Sequence, residues 1–470
     1  MKMQPASDIT LGALLRHNDR SGRARLEADN GSVPYAALRT ATSFIGDQVD
    51  LTGRSALLAV PDQLSAALAL IQLDGVARRI VLCPPDVEPR HFAAVVADAA
   101  VDVVVCRDST AEIAALGLPV VIAGPTVNGT ARPTHCTRRT EWVLLTSGTS
   151  GSPKLVLHDL ASLVGAIRPS DGAQESIIWA TFYDIRRYGG LQIFLRAILG
   201  GHSMILSQAG EPVAAHLARL QRGGVTHISG TPSHWRRALM SGAAHLMSPR
   251  YVRLSGEIAD QAILDALQAA WPQAGVSHAY ASTEAGVGFN VIDGRAGFPA
   301  AMVDAPAAGA EVAIRIVEGA LQLRSGRAAV RYLGETHSAI VAADGFVDTS
   351  DLVERRGDRY HFIGRRGGMI NVGGAKVFPE EIEAVLNGHP AVRVSLVQGR
   401  RSPITGALVV ADVVLVGPAA DTPPGADQAI IAELLDHCRA MLSAHKVPTR
   451  LRIVAHLDIA ASGKLARPHA

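Results

Sequence analysis

The chain has 470 residues, 48% of them hydrophobic and 19% charged, with a formal net charge of +2. This is ordinary globular composition, with apolar mass for more than one core. A charge so near zero gives no electrostatic case for nucleic acid or a membrane surface as the main partner. No apolar run reaches the ~18 residues of a membrane span, and Asp8, Arg16, Asp19 and Arg20 stand where a secretory leader would be apolar. Cys83, Cys106, Cys136 and Cys438 form no CxxC and have no histidines at zinc-ligand spacing. The expectation is a soluble cytoplasmic protein in a reducing compartment.

From Ala56 to about Tyr280, short β-rich runs alternate with helical ones. Strands are expected at Ala56–Val60, Arg79–Leu82, Asp102–Cys106, Val120–Ala123, Ile177–Ala180, Ser203–Leu206 and Thr226–Ser229. Helices are expected at Gln63–Leu73, Phe92–Ala100, Leu191–Leu199 and Val213–Arg222. Continuous apolar strands alternating with helices argue for parallel sheets covered on both faces. After Pro306 the texture becomes β-rich, with hairpins at Glu311–Arg324, turning through Glu318-Gly319, and between Gly345 and Ile363. A glycine-dense run from Gly364 to Gly374 precedes a short helix with Pro379 at its first position, Glu380 and Glu381 in its first turn and Gly388 just past its end. A strand (Ala407–Leu415), an amphipathic helix (Gln428–Met441) and a strand (Leu451–Val454), with a proline-rich loop at Pro418–Pro424, complete a compact α+β unit.

Four segments carry residues suited to chemistry. Trp142–Lys154 runs a strand into Thr146, Ser147, Gly148, Thr149, Ser150, Gly151 and finally Lys154. Glycines let backbone N–H groups converge on an anion, hydroxyls add donors and the lysine adds charge. It is not a Walker A loop, because GxxxxGK[ST] cannot be placed on it. Tyr280-Ala-Ser-Thr-Glu-Ala-Gly286 lies at a strand end, where α/β folds place ligands; the residues fit equally a core tyrosine followed by a helix N-cap. Asp351 and Arg365 have the right groups for a ribose, although alone they read as a turn and a surface charge. Lys464, in Ser462-Gly-Lys464, reads alone as part of a solvated tail.

Taken in this order, these segments resemble the ANL superfamily of adenylate-forming enzymes, over nearly the whole chain. Thr146–Lys154 is similar to the family's phosphate loop, Tyr280–Glu284 to its Y-G-x-T-E segment, Thr349-Ser-Asp351 to T-G-D, Gly364-Arg365 to its hinge, Met369–Glu383 to the loop and helix that follow, and Ser462-Gly-Lys464 to its terminal catalytic lysine. The resemblance implies a large N-terminal α/β domain with parallel sheets plus a β-rich subdomain (residues 1–364), and a small mobile α+β C-terminal domain (residues 365–470) carrying the lysine. It implies ATP-dependent activation of a carboxylic acid to an acyl-adenylate, then thioester formation with CoA or with a carrier protein's phosphopantetheine.

Residue by residue, Thr146 to Lys154 would wrap the β- and γ-phosphates. Tyr280 would stack on adenine beside Gly256 and Glu257. Thr283 would contact the α-phosphate, Glu284 would position Mg²⁺, and Asp351 and Arg365 would hold the ribose. Lys464 would bridge the carboxylate and the α-phosphate. The acyl pocket would draw on Tyr183, Arg187, Gly190 and Gly230; Arg187 would meet a second carboxylate or polar substituent, or else simply cap a helix. The chain departs from the family pattern at Ala281 and Ser350, where glycine is usual, at Gly367, usually aspartate or lysine, and at Asp458, often proline.

Overall fold

The computed structural model describes residues 10–466 except 19–21, 47–48, 129–137, 147–152, 169–175, 308, 335–338, 403–405, 417–425, 459 and 461–463. Among the described residues, two eight-stranded sheets dominate. In the first, Arg25–Ala28, Ser203–Ile205, Ile178–Thr181, His227–Gly230, Tyr251–Ser255 and Gly275–Ser282 run parallel to one another. Antiparallel edge strands Gly31–Pro34 and Gly286–Val291 close it. In the second, Glu141–Thr146, Arg79–Leu82, Ser55–Ala59, Val103–Cys106 and Val120–Asn128 are parallel. Antiparallel strands Lys154–Asp159, Arg331–Leu333 and Thr42–Ile45 complete it.

The expected coverage on both faces has a direct physical basis. Leu57, Val81, Val104 and Val143 pack outward against Val95, Ala99 and Ile113, while Ala56, Leu58, Ile80, Leu82 and Leu144 join an inner core. That inner core also takes Leu26, Trp179 and Met204 from the first sheet, together with the helices Gln63–Leu73 and Tyr188–Gly200. Gln63–Leu73 is mostly apolar and buried on nearly every side, which suits a helix enclosed between two sheets. A separate core behind the first sheet gathers Leu217, Leu220, Trp235, Ile263, Leu264 and Leu267. A five-stranded sheet containing Val312–Val317, Ala320–Ser325, Val347–Arg356 and Arg359–Arg365 is the β-rich part. Its first hairpin turns at Glu318 and Gly319, both at positive φ (50° and 77°), the geometry a tight primed turn requires.

Among the described residues no sheet mixes strands up to Arg365 with strands from Ile370 on. The C-terminal residues have their own core, in which Ile382, Leu386, Val397, Val409, Val413, Leu434 and Leu451 meet. The capped helix is there, at Pro379–Asn387. The strand Val392–Ser402, one of the longest in the chain, is absent from the sequence-based reading and pairs along its length with Gly406–Leu415. The proline-rich segment from Pro418 to Pro424 lies outside the described residues. Among the described residues no helix is long and apolar enough to cross a membrane.

Candidate active site

Four neighbouring parallel strands of the first sheet end at one edge, and each hands over a short segment there. Ile178–Thr181 leads to Phe182 and Tyr183, His227–Gly230 to Thr231, Tyr251–Ser255 to Gly256 and Glu257, and Gly275–Ser282 to Thr283 and Glu284. The carboxyl edge of a parallel sheet is where α/β folds bind ligands, because the loops there face one crevice.

The second sheet meets this edge through Thr146 and Lys154, which are register partners across the hairpin. The residues Ser147, Gly148, Thr149, Ser150 and Gly151 of the expected phosphate loop lie outside the described residues. The Lys154 ammonium stands 5.5 Å over the ring of Tyr332, whose hydroxyl donates to Glu284 Oε1 at 3.3 Å. Burial, with Glu284 adding to it, pushes the Tyr332 phenol up to about 12, so it stays a donor. A second link is His158, whose Nε2 donates to the carbonyl of Thr283 at 2.7 Å while Nδ1 faces the Ser162 hydroxyl at 3.1 Å. Burial lowers the His158 pKa to about 4, so the ring is neutral. Sequence reasoning gave His158 and Tyr332 no role of their own, since both act through a partner distant in the chain.

Tyr280 packs parallel to Phe362 (centroids 5.2 Å apart, 7° between planes) and to Phe289 (5.5 Å, 21°). Its hydroxyl donates to Asp351 Oδ2. The segment then turns into an antiparallel strand, not into a capped helix. Asp351 pairs in register with Arg365, whose Nε lies 3.5 Å from Asp351 Oδ1. A carboxylate with one oxygen held by a tyrosine and the other by an arginine is fixed in orientation.

Lys464 joins this group from the chain's far end. A side chain built at Gly256 would meet Lys464 Cε at 3.8 Å, Thr231 Cγ2 at 3.7 Å and the Tyr183 hydroxyl at 4.0 Å. Gly256 itself sits at φ +88°, which favours glycine. Lys464 keeps an open solvent side, so it stands in a cleft rather than a sealed cavity. Crowding by protein atoms lowers its pKa below the ordinary lysine value; Glu257, Asp351 and Glu284 act in the opposite sense, and Arg365 adds to the lowering. Its backbone closes a loop, with Ala460 N–H donating to the Lys464 carbonyl at 2.8 Å and Ala466 N–H to that of Asp458 at 2.9 Å.

The residues expected to line the acyl pocket fare differently. Tyr183 is 7% exposed and donates to the Ser255 carbonyl at 2.6 Å, forming a wall beside Gly256. At Gly230 a side chain would meet Phe182 Cδ2 at 2.7 Å. At Gly190 it would strike the Asp184 carbonyl at 2.2 Å, so this glycine serves close packing of a helix on its own preceding loop. Arg187 stands at the N-cap of the helix Tyr188–Gly200 without a side-chain cap bond, and Asp86 pairs with it. Asp184 is likewise held by Arg186, which is 1% exposed. Glu257 turns its carboxylate to Ser233 and Leu465. Of the two histidines nearest the motifs, His278 donates to the Arg295 carbonyl at 3.0 Å, and burial lowers the pKa of both it and His361.

Among the described residues no three His, Cys, Asp or Glu side chains form a ready-made metal cage. Mg²⁺ commonly takes one or two carboxylates and completes its octahedron with water and substrate phosphates. Glu284, half-buried and oriented by Tyr332, fits that mode.

The fold and this edge are those of an adenylate-forming ligase. The chain belongs to the AMP-binding enzymes: the sequence model of that family matches residues 57–326, and that of the AMP-binding enzyme C-terminal domain matches residues 381–464. It is 28% identical over 346 residues to a 2-succinylbenzoate–CoA ligase of Listeria innocua, covering 70% of this chain and 69% of that one. It is 26% identical over 355 residues to a feruloyl-CoA synthase of Amycolatopsis, covering 69% and 68%. Among solved structures, the anthranilate CoA ligase AuaEII in complex with anthranoyl-AMP superposes with a TM-score of 0.75 at 19% identity, covering 98% of this chain and 97% of that one. The o-succinylbenzoate CoA synthetase of Bacillus subtilis with its acyl-adenylate intermediate gives 0.70 at 18%, covering 96% of each.

Proposed function

We propose that this chain activates an aromatic carboxylic acid with ATP and passes the acyl group to the thiol of CoA. The observation that carries the reading is Lys464, brought from the end of the chain to Gly256 beside Thr231 and Tyr183, where it feels the charges of Glu257, Arg365, Asp351 and Glu284. A free carboxylate is a poor electrophile because attack would require oxide to leave. Attack of its oxygen on the α-phosphorus of ATP expels pyrophosphate and leaves a mixed anhydride whose leaving group is AMP. That displacement asks mainly for alignment and charge neutralisation.

Lys464 supplies a cation between carboxylate and α-phosphate, and Lys154 and the glycine–hydroxyl segment after Thr146 hold the outer phosphates. Thr283, its carbonyl fixed by His158, offers its hydroxyl to the α-phosphate. Asp351, set by Tyr280 and Arg365, takes the ribose hydroxyls. Mg²⁺ bound at Glu284 would offset phosphate charge. The thiol then attacks the acyl carbon and AMP departs.

Between the steps the C-terminal domain, from residue 365 on, turns about the Gly364–Gly368 run. Gly367 and Gly368 have open space where side chains would stand, which supports a joint there. The aromatic assignment rests on the acyl edge, where Arg186 and Arg187 are neutralised by Asp184 and Asp86 and the ring of Tyr183 stands beside Gly256. The names of the two sequence relatives point the same way. The test is acid-dependent exchange of labelled pyrophosphate into ATP across benzoates, cinnamates and aliphatic acids, followed by thioester detection with CoA. No exchange with any acid would sink the reading; exchange with aliphatic acids alone would sink the aromatic part, and transfer only to a carrier protein's phosphopantetheine would replace the acceptor.

A further inference from the structure

Glu257 follows Gly256, and its carboxylate turns to the start of the helix Pro232–Met240 and to the residue after Lys464. Oε2 accepts from the Ser233 backbone N–H at 2.9 Å, and Oε1 from the Ser233 hydroxyl at 2.9 Å. Ser233 is the second residue of the helix Pro232–Met240, so the carboxylate also satisfies a free N–H at a helix N-terminus. Oε1 then accepts a third bond, at 3.0 Å, from the backbone N–H of Leu465. Leu465 directly follows Lys464 and comes from the C-terminal unit.

The seam around this bond is otherwise sparse. A cavity of about 80 Å³ lies between Met240 and Arg237 on one side and Val394, Val414 and Leu465 on the other, so this part of the seam is not close-packed. One further polar contact across it is Asn387 Nδ2 to Asp260 Oδ2 at 3.3 Å. The bond to the residue beside the lysine is charge-assisted, since its acceptor is a carboxylate.

We propose that Glu257 is the catch that holds the C-terminal unit with Lys464 in the site. It is a positioning residue, acting on the lysine through the backbone of Leu465, and it rests on the functional reading above. The Ser233 bonds belong wholly to the large unit and survive any movement of the small one. The Leu465 bond exists only while the lysine is engaged, so it weights the adenylation arrangement against the one used for thioester formation.

The experiment measures the two half-reactions separately on the full-length chain: pyrophosphate exchange for adenylation, and CoA consumption of supplied acyl-adenylate for thioester formation. Glu257→Ala is expected to slow exchange about tenfold, as loss of one charge-assisted bond would, and to change thioester formation by less than about twofold. Glu257→Gln keeps an oxygen for Leu465 and should recover to within about threefold of wild type; it also decides the matter if the alanine variant does not fold. Hydrogen exchange at the Leu465 amide should quicken in Glu257→Ala. Equal slowing of both half-reactions, or unchanged exchange, overturns the proposal. A wild-type chain without any exchange instead overturns the functional reading itself.

Discussion

The nucleotide end and the acyl end of the same crevice are built on opposite principles. At the nucleotide end, polar groups hold one another and still face the cleft: Tyr280 on Asp351, Tyr332 on Glu284 and His158 on the Thr283 carbonyl. At the acyl end, the charges are matched among themselves. Arg186 takes both oxygens of Asp184 and also the carbonyls of Val60 and Pro61, and Arg187 takes Asp86. The difference shows where charge serves the reaction and where it serves the scaffold. ATP brings charge that must be met by preoriented partners, whereas on the reading proposed above the acid need bring only its reacting carboxylate to Lys464.

The largest effect expected from this contrast is at Lys464. Lys464→Ala should cost on the order of 10²–10³-fold in pyrophosphate exchange, by analogy with removing one preorganised stabilising group, and far less in thioester formation from supplied acyl-adenylate. Equal losses in both steps would erase the distinction between a catalytic and a structural cation. Arg186 supplies the opposite case. Arg186→Met strands the Asp184 carboxylate, 14% exposed, inside the fold and should cost about 3 kcal/mol of stability. Protein that folds should keep its KM for ATP; a raised ATP KM at unchanged stability would mean the acyl-end charges are not scaffold.

A pH test sharpens the nucleotide end. His158 has a folded pKa of about 4, held down by burial, against an ordinary 6.5. Below pH 6.5 the unfolded chain binds a proton that the folded chain refuses until about pH 4. Stability from this residue is therefore present above 6.5 and falls as pH drops through that window, by about 3 kcal/mol in all. Asp74 works against it. Burial raises its pKa from 3.8 to about 6, so its ionised folded form costs stability that returns as pH falls from 6 towards 3.8. The two cancel in the wild type. Urea unfolding of His158→Gln and wild type at about pH 7 and about pH 4.5 separates them: the wild-type advantage should shrink at the lower pH, and a constant difference would mean His158 is not buried neutral.

Much of this was legible in the sequence because the motif residues lie at strand ends and in turns, where local chemistry is distinctive. Thr146, Tyr280 and Lys464 are examples, while Asp351 lies inside a strand beside the positive-φ Ser350, and the parallel strands followed from unbroken apolar runs. What escaped reading was fixed by distant pairing. Arg25–Ala28 and Gly31–Pro34 complete the first sheet only by joining Ser203–Ile205, far along the chain. Val392–Ser402 ends in polar, arginine-rich residues that mask its alternation of Val392, Val394 and Leu396. Arg187 and Glu257 were visible as charges, but their partners Asp86 and Leu465 are set by the fold alone.

The smallest effect concerns Ser350, between Thr349 and Asp351, the residue proposed to take the ribose. Among the described residues only Ala100, Glu318 and Ser350 have positive φ without being glycine, and Ser350 sits at +59°. A left-handed residue with a Cβ costs roughly 1–2 kcal/mol. The strain persists because both flanks are tied: the Thr349 hydroxyl donates to the Leu321 carbonyl at 2.7 Å and the Ser350 N–H to Asp348 Oδ1 at 2.8 Å. Ser350→Gly relieves it but gives the unfolded chain more freedom, at about 0.4–1 kcal/mol. The net expectation is a gain of about 0.5 kcal/mol in urea unfolding. If the strain serves only to aim Asp351, the same variant should raise the KM for ATP slightly while kcat holds. A stability loss would show that the Ser350 side chain contributes more than its backbone costs, and would weaken the view that the nucleotide end keeps strain in exchange for orientation.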